Sequence, residues 1–238
     1  MKITLKDGKV IEAENGKKGF EIAALISEGL ARNALAMKVN GEVTEINAAV
    51  NGDANVEFLT FNDDEGKKVY RHTAAHVFAQ AVKRLFPNAK LAFGPATDEG
   101  FFYDVDVETP LTADVLEKIE AEMKKIVKEA LPLERFTMTR EEAIKFMQEK
   151  EEPYKVQLIE DLPEDAELSF YRQGEFVDLC AGPHLMNTKT VKAFKLTSLA
   201  GAYWRGNEKN KMLTRIYGTA FTKKADLEEY LARIEEAK

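Results

Sequence analysis

Asn62-Asp63-Asp64-Glu65-Gly66 is polar, acidic and closed by glycine, and it divides the chain in two. Such a run interrupts every hydrophobic pattern around it and reads as a connector between units. On its N-terminal side, residues 1–5 and 10–13 flank Lys6-Asp7-Gly8-Lys9, an Asp-Gly hairpin signal. A short apolar helix follows, built on Phe20, Ile22, Ala23, Leu25 and Ile26 and stopped near Gly29. Residues 36–39, with their Asn40-Gly41 turn, and residues 56–61 read as two further strands. The order strand, strand, helix, strand, strand predicts a small open sheet crossed by one helix.

On the other side, residue 67 to about residue 86 forms a helix ended by Pro87-Asn88. Tyr70, Ala74, Val77, Phe78, Ala81 and Leu85 make a stripe at helical spacing, with His72 and His76 projecting roughly opposite it. A structural histidine belongs on the stripe, so this placement points the pair at a cleft. Residues 100–107 then read as strand, and Thr112 caps a long amphipathic helix running to about Leu131. Thr139 and Glu142 form a capping box for a helix ending near Lys150. Residues 168–179 read as two strands around Gln173-Gly174, and alternation sets Asp178 and Cys180 side by side on one face. Residues 203–205 and 212–217 make a hairpin, and Thr222 caps a final charged helix. The expected fold class is α+β: a small sheet unit, then a larger one with antiparallel strands and long helices.

With 238 residues, 45% hydrophobic and 32% charged, the composition is that of soluble globular material with enough apolar surface for two modest cores. A single cysteine excludes an internal disulfide and suits a reducing cytoplasm, the expected location. No secretory h-region opens the chain, and no apolar run approaches the ~18 residues of a membrane span, so no membrane partner is expected. A net charge of −7 argues against a protein that coats nucleic acid. It leaves room for a local basic groove, for which Lys189, Lys192, Lys195, Arg205, Lys209, Lys211 and Arg215 are the candidates.

All three histidines and the only cysteine fall into two clusters, His72-Thr-Ala-Ala-His76 and Cys180-Ala-Gly-Pro-His184. Imidazole and thiol bind metals and move protons near neutral pH, and a scatter of four such residues rarely gives two equal spacings. One composite site is therefore expected, against the plainer alternatives of a zinc staple or a chance surface grouping. Thr73 stands where a zincin protease needs its glutamate. The ligand pairs lie too far apart in the chain for a zinc finger, and the His-x-Glu and Pro-Cys-x-x-Cys of a zinc deaminase are missing. Neither a Gly-x-Ser-x-Gly elbow nor a phosphate-binding P-loop is present.

Four runs together resemble the bacterial threonyl-tRNA synthetase family: Tyr70-Arg-His72-Thr-Ala-Ala-His76, Gly94-Pro-Ala-Thr-Asp-Glu-Gly-Phe-Phe-Tyr103-Asp104, Asp178-Leu-Cys180-Ala-Gly-Pro-His184 and Gly201-Ala-Tyr-Trp204-Arg-Gly-Asn207. The resemblance covers the chain in order, and only the N-terminal portion of that family. Residues 1–61 resemble its TGS module, a ubiquitin-like β-grasp unit. Residues 62–224 resemble its editing domain, shared with alanyl-tRNA synthetases, and residues 225–238 look like a connector to a class II aminoacylation core that this sequence lacks.

What the resemblance implies is proofreading hydrolysis of seryl-tRNA(Thr) at the 3′-terminal adenosine, with the tRNA(Thr) acceptor end as partner and a homodimeric parent synthetase joined through regions outside this chain. It places His72, His76, Lys155, Asp178, Cys180 and His184 in the catalytic set and Tyr103 in the substrate pocket. The chemistry assigns roles in outline. His72 or His76 deprotonates water, the sequence leaving open which. Lys155 donates to the oxyanion, the leaving ribose oxygen or a phosphate, and Asp178 holds the substrate ammonium or tunes a histidine. Cys180 and His184 shape the pocket or share in positioning water, and direct water attack ranks above a thioester through Cys180. The resemblance favours editing without a required cofactor. Zinc on His72, His76, Cys180 and His184 is the alternative, since those donors would complete a tetrahedral site. Rival readings are a non-catalytic tRNA-binding or regulatory module and a free-standing editing factor acting in trans.

Overall fold

The computed structural model describes residues 1–238. The chain divides into two compact units, residues 1–70 with Gly182–Met186, and residues 71–181 with 187–238.

In the first unit, β1 (Lys2–Leu5) and β2 (Val10–Glu12) form the expected hairpin, followed by α1 (Gly19–Ile26), α2 (Glu28–Asn33), β3 (Ala36–Val39), β4 (Glu42–Glu45) and β5 (Ala54–Leu59). The sheet order is β2-β1-β5-β3-β4, with β1 and β5 parallel and the other pairs antiparallel. This is the β-grasp arrangement, and Ile3, Ile22, Met37, Ile46, Val50 and Val56 form its core. Two elements were not expected. The first helix stops at Ile26, and Ser27 caps the separate α2 through its hydroxyl, which accepts from the Leu30 N–H at 3.0 Å. The polar strand β4 (Glu-Val-Thr-Glu) gives no alternation to read and is held by its ladder to β3.

Helix α3 (Asp64–Leu85) begins inside the run read as a connector, so Asp64, Glu65 and Gly66 are helical. Asp64 and Glu65 suit a first turn because carboxylates there oppose the helix dipole. The stripe reading also needs correction. From Arg71 to Val82 only His72 keeps appreciable exposure, so this stretch of the helix is buried all round and presents no polar face to water. Its buried polar groups are satisfied internally: the Arg71 guanidinium donates to the carbonyls of Ala220 (3.1 Å) and Asp98 (2.9 Å).

In the second unit, β6 (Lys90–Leu91) and β7 (Phe101–Asp106) lead to α4 (Ala113–Glu129), capped by Thr112 as expected. Then come β8 (Glu134–Met138), α5 (Arg140–Glu149), whose Thr139 hydroxyl accepts from Glu142 N–H, and α6 (Pro153–Asp161). The strands β9 (Leu168–Gln173) and β10 (Phe176–Leu179) meet at the expected turn. A long hairpin of β11 (Ala193–Tyr203) and β12 (Met212–Phe221) precedes α7 (Lys224–Glu236). Two antiparallel sheets result, ordered β10-β9-β8 and β11-β12-β7-β6.

Strand β11 starts ten residues before the position read from sequence, since residues 197–201 are exposed and are held by pairing with β12. Glu120 of α4 covers the first half of its outer edge, accepting the Leu196 N–H at 2.9 Å and pairing with Lys195. Helix α7 is preceded by Lys223 at its N-cap, without a side-chain cap, so Thr222 does not have the role expected of it.

Candidate active site

The clearest part of the site is a closed triangle of buried polar groups. Asp178 is the third residue of β10, on the inward face it shares with Phe176. Lys155 sits in the first turn of α6, where Pro153 opens the helix. The neighbouring Tyr154 fixes that turn, packing edge-on against Trp204 with ring centroids 4.9 Å apart and donating to Asp106 at 2.6 Å. Tyr103 comes from the middle of β7. The Lys155 ammonium lies 2.8 Å from Asp178 Oδ1 and donates to the Tyr103 hydroxyl at 3.0 Å, and that hydroxyl donates to Asp178 Oδ2 at 2.9 Å. All three residues are 3% exposed or less, so few waters screen these charges.

The histidines of α3 lie beside this triangle. His76 Nε2 is 3.5 Å from Asp178 Oδ2. The two imidazoles meet edge to face at 5.1 Å, and the Cys180 thiol lies 3.3 Å from His72 Nε2. Cys180 is one residue beyond β10, yet its N–H still bonds the Ser169 carbonyl at 3.0 Å, and the Ser169 hydroxyl donates to its carbonyl. Strand geometry thereby carries past the end of β10 and keeps the thiol on the Asp178 side. His184 lies in the segment Gly182–Met186 and is fully buried.

Burial governs the charge states. It pushes His72 down to about 3, helped by the neighbouring His76 and Lys155 and opposed by Asp178. Burial likewise pushes His76 down to about 4, with Asp178 again opposing. Both rings are therefore neutral at pH 7, and the His76–Asp178 approach is no ion pair there. Burial pushes the Asp178 carboxyl up, but Lys155, His76 and the bonds from Lys155 and Tyr103 outweigh it and hold it below its usual value. Burial and the adjacent carboxylate raise Tyr103 well above its ordinary value, so its hydroxyl stays a donor.

Several contributing residues gave no signal as isolated positions. The Gln173 amide donates to the His76 carbonyl (3.2 Å) and to Gln80 (2.7 Å), tying α3 to β9. Glu152, 6% exposed, accepts the Leu91 N–H at 3.2 Å just ahead of α6. A cavity of about 220 Å³ adjoins the triangle, lined by Lys155, Asp178, Glu152, Phe176 and Val177 among others. That is below the ~300–1,000 Å³ typical of drug-sized ligands and suits a small group.

The basic residues fare differently. Lys195 pairs with Glu120, Arg205 with Asp161, Lys211 with Asp106, and Arg215 makes a two-pronged bond to Asp104 at 2.8 and 2.9 Å. The expected basic groove is thus largely neutralised by its own carboxylates. Lys189, Lys192 and Lys209 are exposed.

The donor atoms of His72, His76 and Cys180 all lie within 4.8 Å of one another, a His/Cys group that could hold a metal ion. With metal–nitrogen and metal–sulfur bonds of ~2.0–2.3 Å, tetrahedral donors stand roughly 3.3–3.8 Å apart. The 3.3 Å between His72 and Cys180 meets that spacing, and the widest separation needs about 1 Å of closure. These three donors fit zinc, which would take a fourth ligand to complete its tetrahedron.

No helix is long and apolar enough to cross a membrane. Residues 1–60 match the TGS domain, and residues 168–217 match the threonyl and alanyl tRNA synthetase second additional domain. The chain is 63% identical over all 238 residues to relatives named threonine–tRNA ligase from Acetivibrio thermocellus and Clostridium novyi, and 60% identical to one from Caldanaerobacter subterraneus subsp. tengcongensis. Its whole length is covered, whereas it spans 37–38% of the length of these curated relatives. These two matches in order, together with this identity, make the chain similar from end to end to the N-terminal part of threonine–tRNA ligases.

Proposed function

We propose that this chain hydrolyses the ester of seryl-tRNA(Thr) at the 3′-terminal adenosine and spares threonyl-tRNA(Thr). One observation carries the reading: neutral imidazoles stand beside a buried Lys155–Asp178–Tyr103 triangle in a chain matching the synthetase second additional domain. In this reading residues 1–61 are a TGS unit, residues 62–224 the editing domain and residues 225–238 a connector, acting on the tRNA acceptor end in the cytoplasm. Proofreading answers a physical difficulty. A site that accepts threonine rejects serine by only ~1–3 kcal/mol, the worth of one methyl group.

Ester hydrolysis needs a base for water and a donor for the developing oxyanion. His76 is the better placed base, because the Asp178 carboxylate beside it stabilises the imidazolium that forms. The Lys155 ammonium, held by Asp178 and Tyr103, donates to the oxyanion. His72 orients water with the Cys180 thiol. A thioester route would want the carboxylate behind the histidine that touches the thiol, whereas Asp178 approaches His76 and Cys180 approaches His72. Zinc, if bound by His72, His76 and Cys180, would hold those side chains in place, and the proton steps above belong to the protein's own residues.

Deacylation of the two esters tests the reading. Ser-tRNA(Thr) should be hydrolysed well ahead of Thr-tRNA(Thr), and equal rates would sink the specificity. His76→Ala should slow turnover by about 10²–10⁴-fold, the usual worth of a general base. Near-stoichiometric zinc in protein purified without added metal would count against editing by free imidazoles. Binding of tRNA without any deacylation would favour a non-catalytic module.

A further inference from the structure

We infer that Gly94 is a positioning residue for the Lys155–Asp178 pair, acting through the ring of Tyr103. The inference rests on the hydrolytic reading for its kinetic consequence and on geometry alone for its structural one. Residues 92–95 run antiparallel beside β7: Ala92 N–H bonds the Asp104 carbonyl, Asp104 N–H the Phe93 carbonyl, and Phe102 N–H the Pro95 carbonyl, at 2.9, 2.9 and 3.2 Å. These bonds set Gly94 directly across from Tyr103. With no side chain at 94, the aromatic ring lies close against the backbone. A Cβ on Gly94 would stand 2.0 Å from Tyr103 Cδ2, 2.5 Å from Cε2 and 2.7 Å from Cγ, separations that packed atoms do not adopt.

The ring has little freedom to retreat. Phe78 of α3 packs against it at a centroid distance of 6.1 Å, and the Lys155 ammonium stands 5.3 Å from its centroid. Tyr103 is 1% exposed and Gly94 is buried. A methyl group at 94 therefore displaces the ring, and the hydroxyl that joins Lys155 to Asp178 moves with it. Gly94 sets the site's geometry without touching substrate, and its missing side chain is the functional feature.

The test uses the whole chain with Gly94→Ala, Tyr103→Phe and the double variant, each checked for folding by far-UV circular dichroism and Tm. Gly94→Ala is expected to lower kcat for Ser-tRNA(Thr) at least about ten-fold, since misplacement by ~1 Å can cost 10²-fold. KM should change by less than about two-fold. In the Tyr103→Phe background, where the hydroxyl is already gone, Gly94→Ala should change kcat by no more than about two-fold; an additive loss would overturn the inference. A readout free of activity is the hydroxyl proton of Tyr103 by NMR, assigned as the resonance missing from Tyr103→Phe. It should shift or vanish in Gly94→Ala, and an unchanged resonance would overturn the seating. A shift or loss of that resonance in Gly94→Ala, alongside a wild-type chain without hydrolytic activity, would refute the proposed function while leaving the seating intact. Should Gly94→Ala fail to fold, Tyr103→Leu must restore folding in the double variant by freeing the space; no rescue would equally overturn it.

Discussion

Lys155 and Asp178 are each 3% exposed or less, so each charge depends on the other. Removing one partner of a buried pair leaves a bare charge and typically costs ~3–5 kcal/mol, whereas replacing both with apolar groups is often neutral. Asp178→Ala is therefore expected to destabilise by about that much in chemical denaturation. Asp178→Leu combined with Lys155→Met should recover most of the loss and show no hydrolysis. A double variant as unstable as Asp178→Ala would mean that the pair's cost is not electrostatic. At this scale the sequence was informative about residue types. The spacing of His72, His76, Cys180 and His184 marked a cluster, whereas Lys155 and Asp178 drew notice through resemblance, because a lone lysine or aspartate reads as a solvated charge. Gln173 was read only as a turn residue and Gly94 only as the head of a resembling run, since their roles come from what lies across a strand or helix from them.

Elements show why some of the fold was legible and some was not. Helix α4 and the β9–β10 hairpin announced themselves through a cap, a long periodic face and a turn dipeptide. Strand β8 is mostly exposed and alternates only over Phe136-Thr137-Met138, and α6 has nine residues with only Pro153 at its start as a signal. Helix α3 hid its true start because acidic, glycine-ended sequence also suits a loop. Gly66 gives this element a test with two opposed terms. Alanine there should gain about 1 kcal/mol of helix propensity. Its Cβ would also fall 2.0 Å from the Thr60 carbonyl oxygen, and such overpacking typically costs ~1–3 kcal/mol. Gly66→Ala should thus lower Tm, and a higher Tm would show that the turn at Thr60 yields freely.

For the molecule as a whole, acid sensitivity follows from the imidazoles. His72 and His76 are held near 3 and 4 in the folded chain against 6.5 when free. As pH falls below about 6.5 the unfolded chain takes up protons that the folded chain refuses. Their contribution is complete above that value and is lost as pH drops towards 4. Each histidine adds a slope of at most ~1.4 kcal/mol per pH unit. Tm should decline steadily from pH 7 to pH 5, and replacing both residues with glutamine should flatten that decline; an unchanged slope would place the sensitivity elsewhere. The α+β class was readable because alternating and helical apolar patterns both recur along the chain. The pairing of Lys195, Arg205, Lys211 and Arg215 with carboxylates was not, as those partners lie dozens of residues away in the chain.

The far half of β11 has a consequence for how this protein behaves at high concentration. Glu120 shields the strand as far as Leu196, while Ala200, Gly201 and Tyr203 beyond it form an uncovered rim of the sheet. Unsatisfied amides along such a rim can recruit a strand from a neighbouring molecule, the first step of ordered aggregation. Arg205 and Lys211 stand close to its tip, and charges so placed act as gatekeepers: neutralising them would trade solubility for stickiness without disturbing the buried triangle.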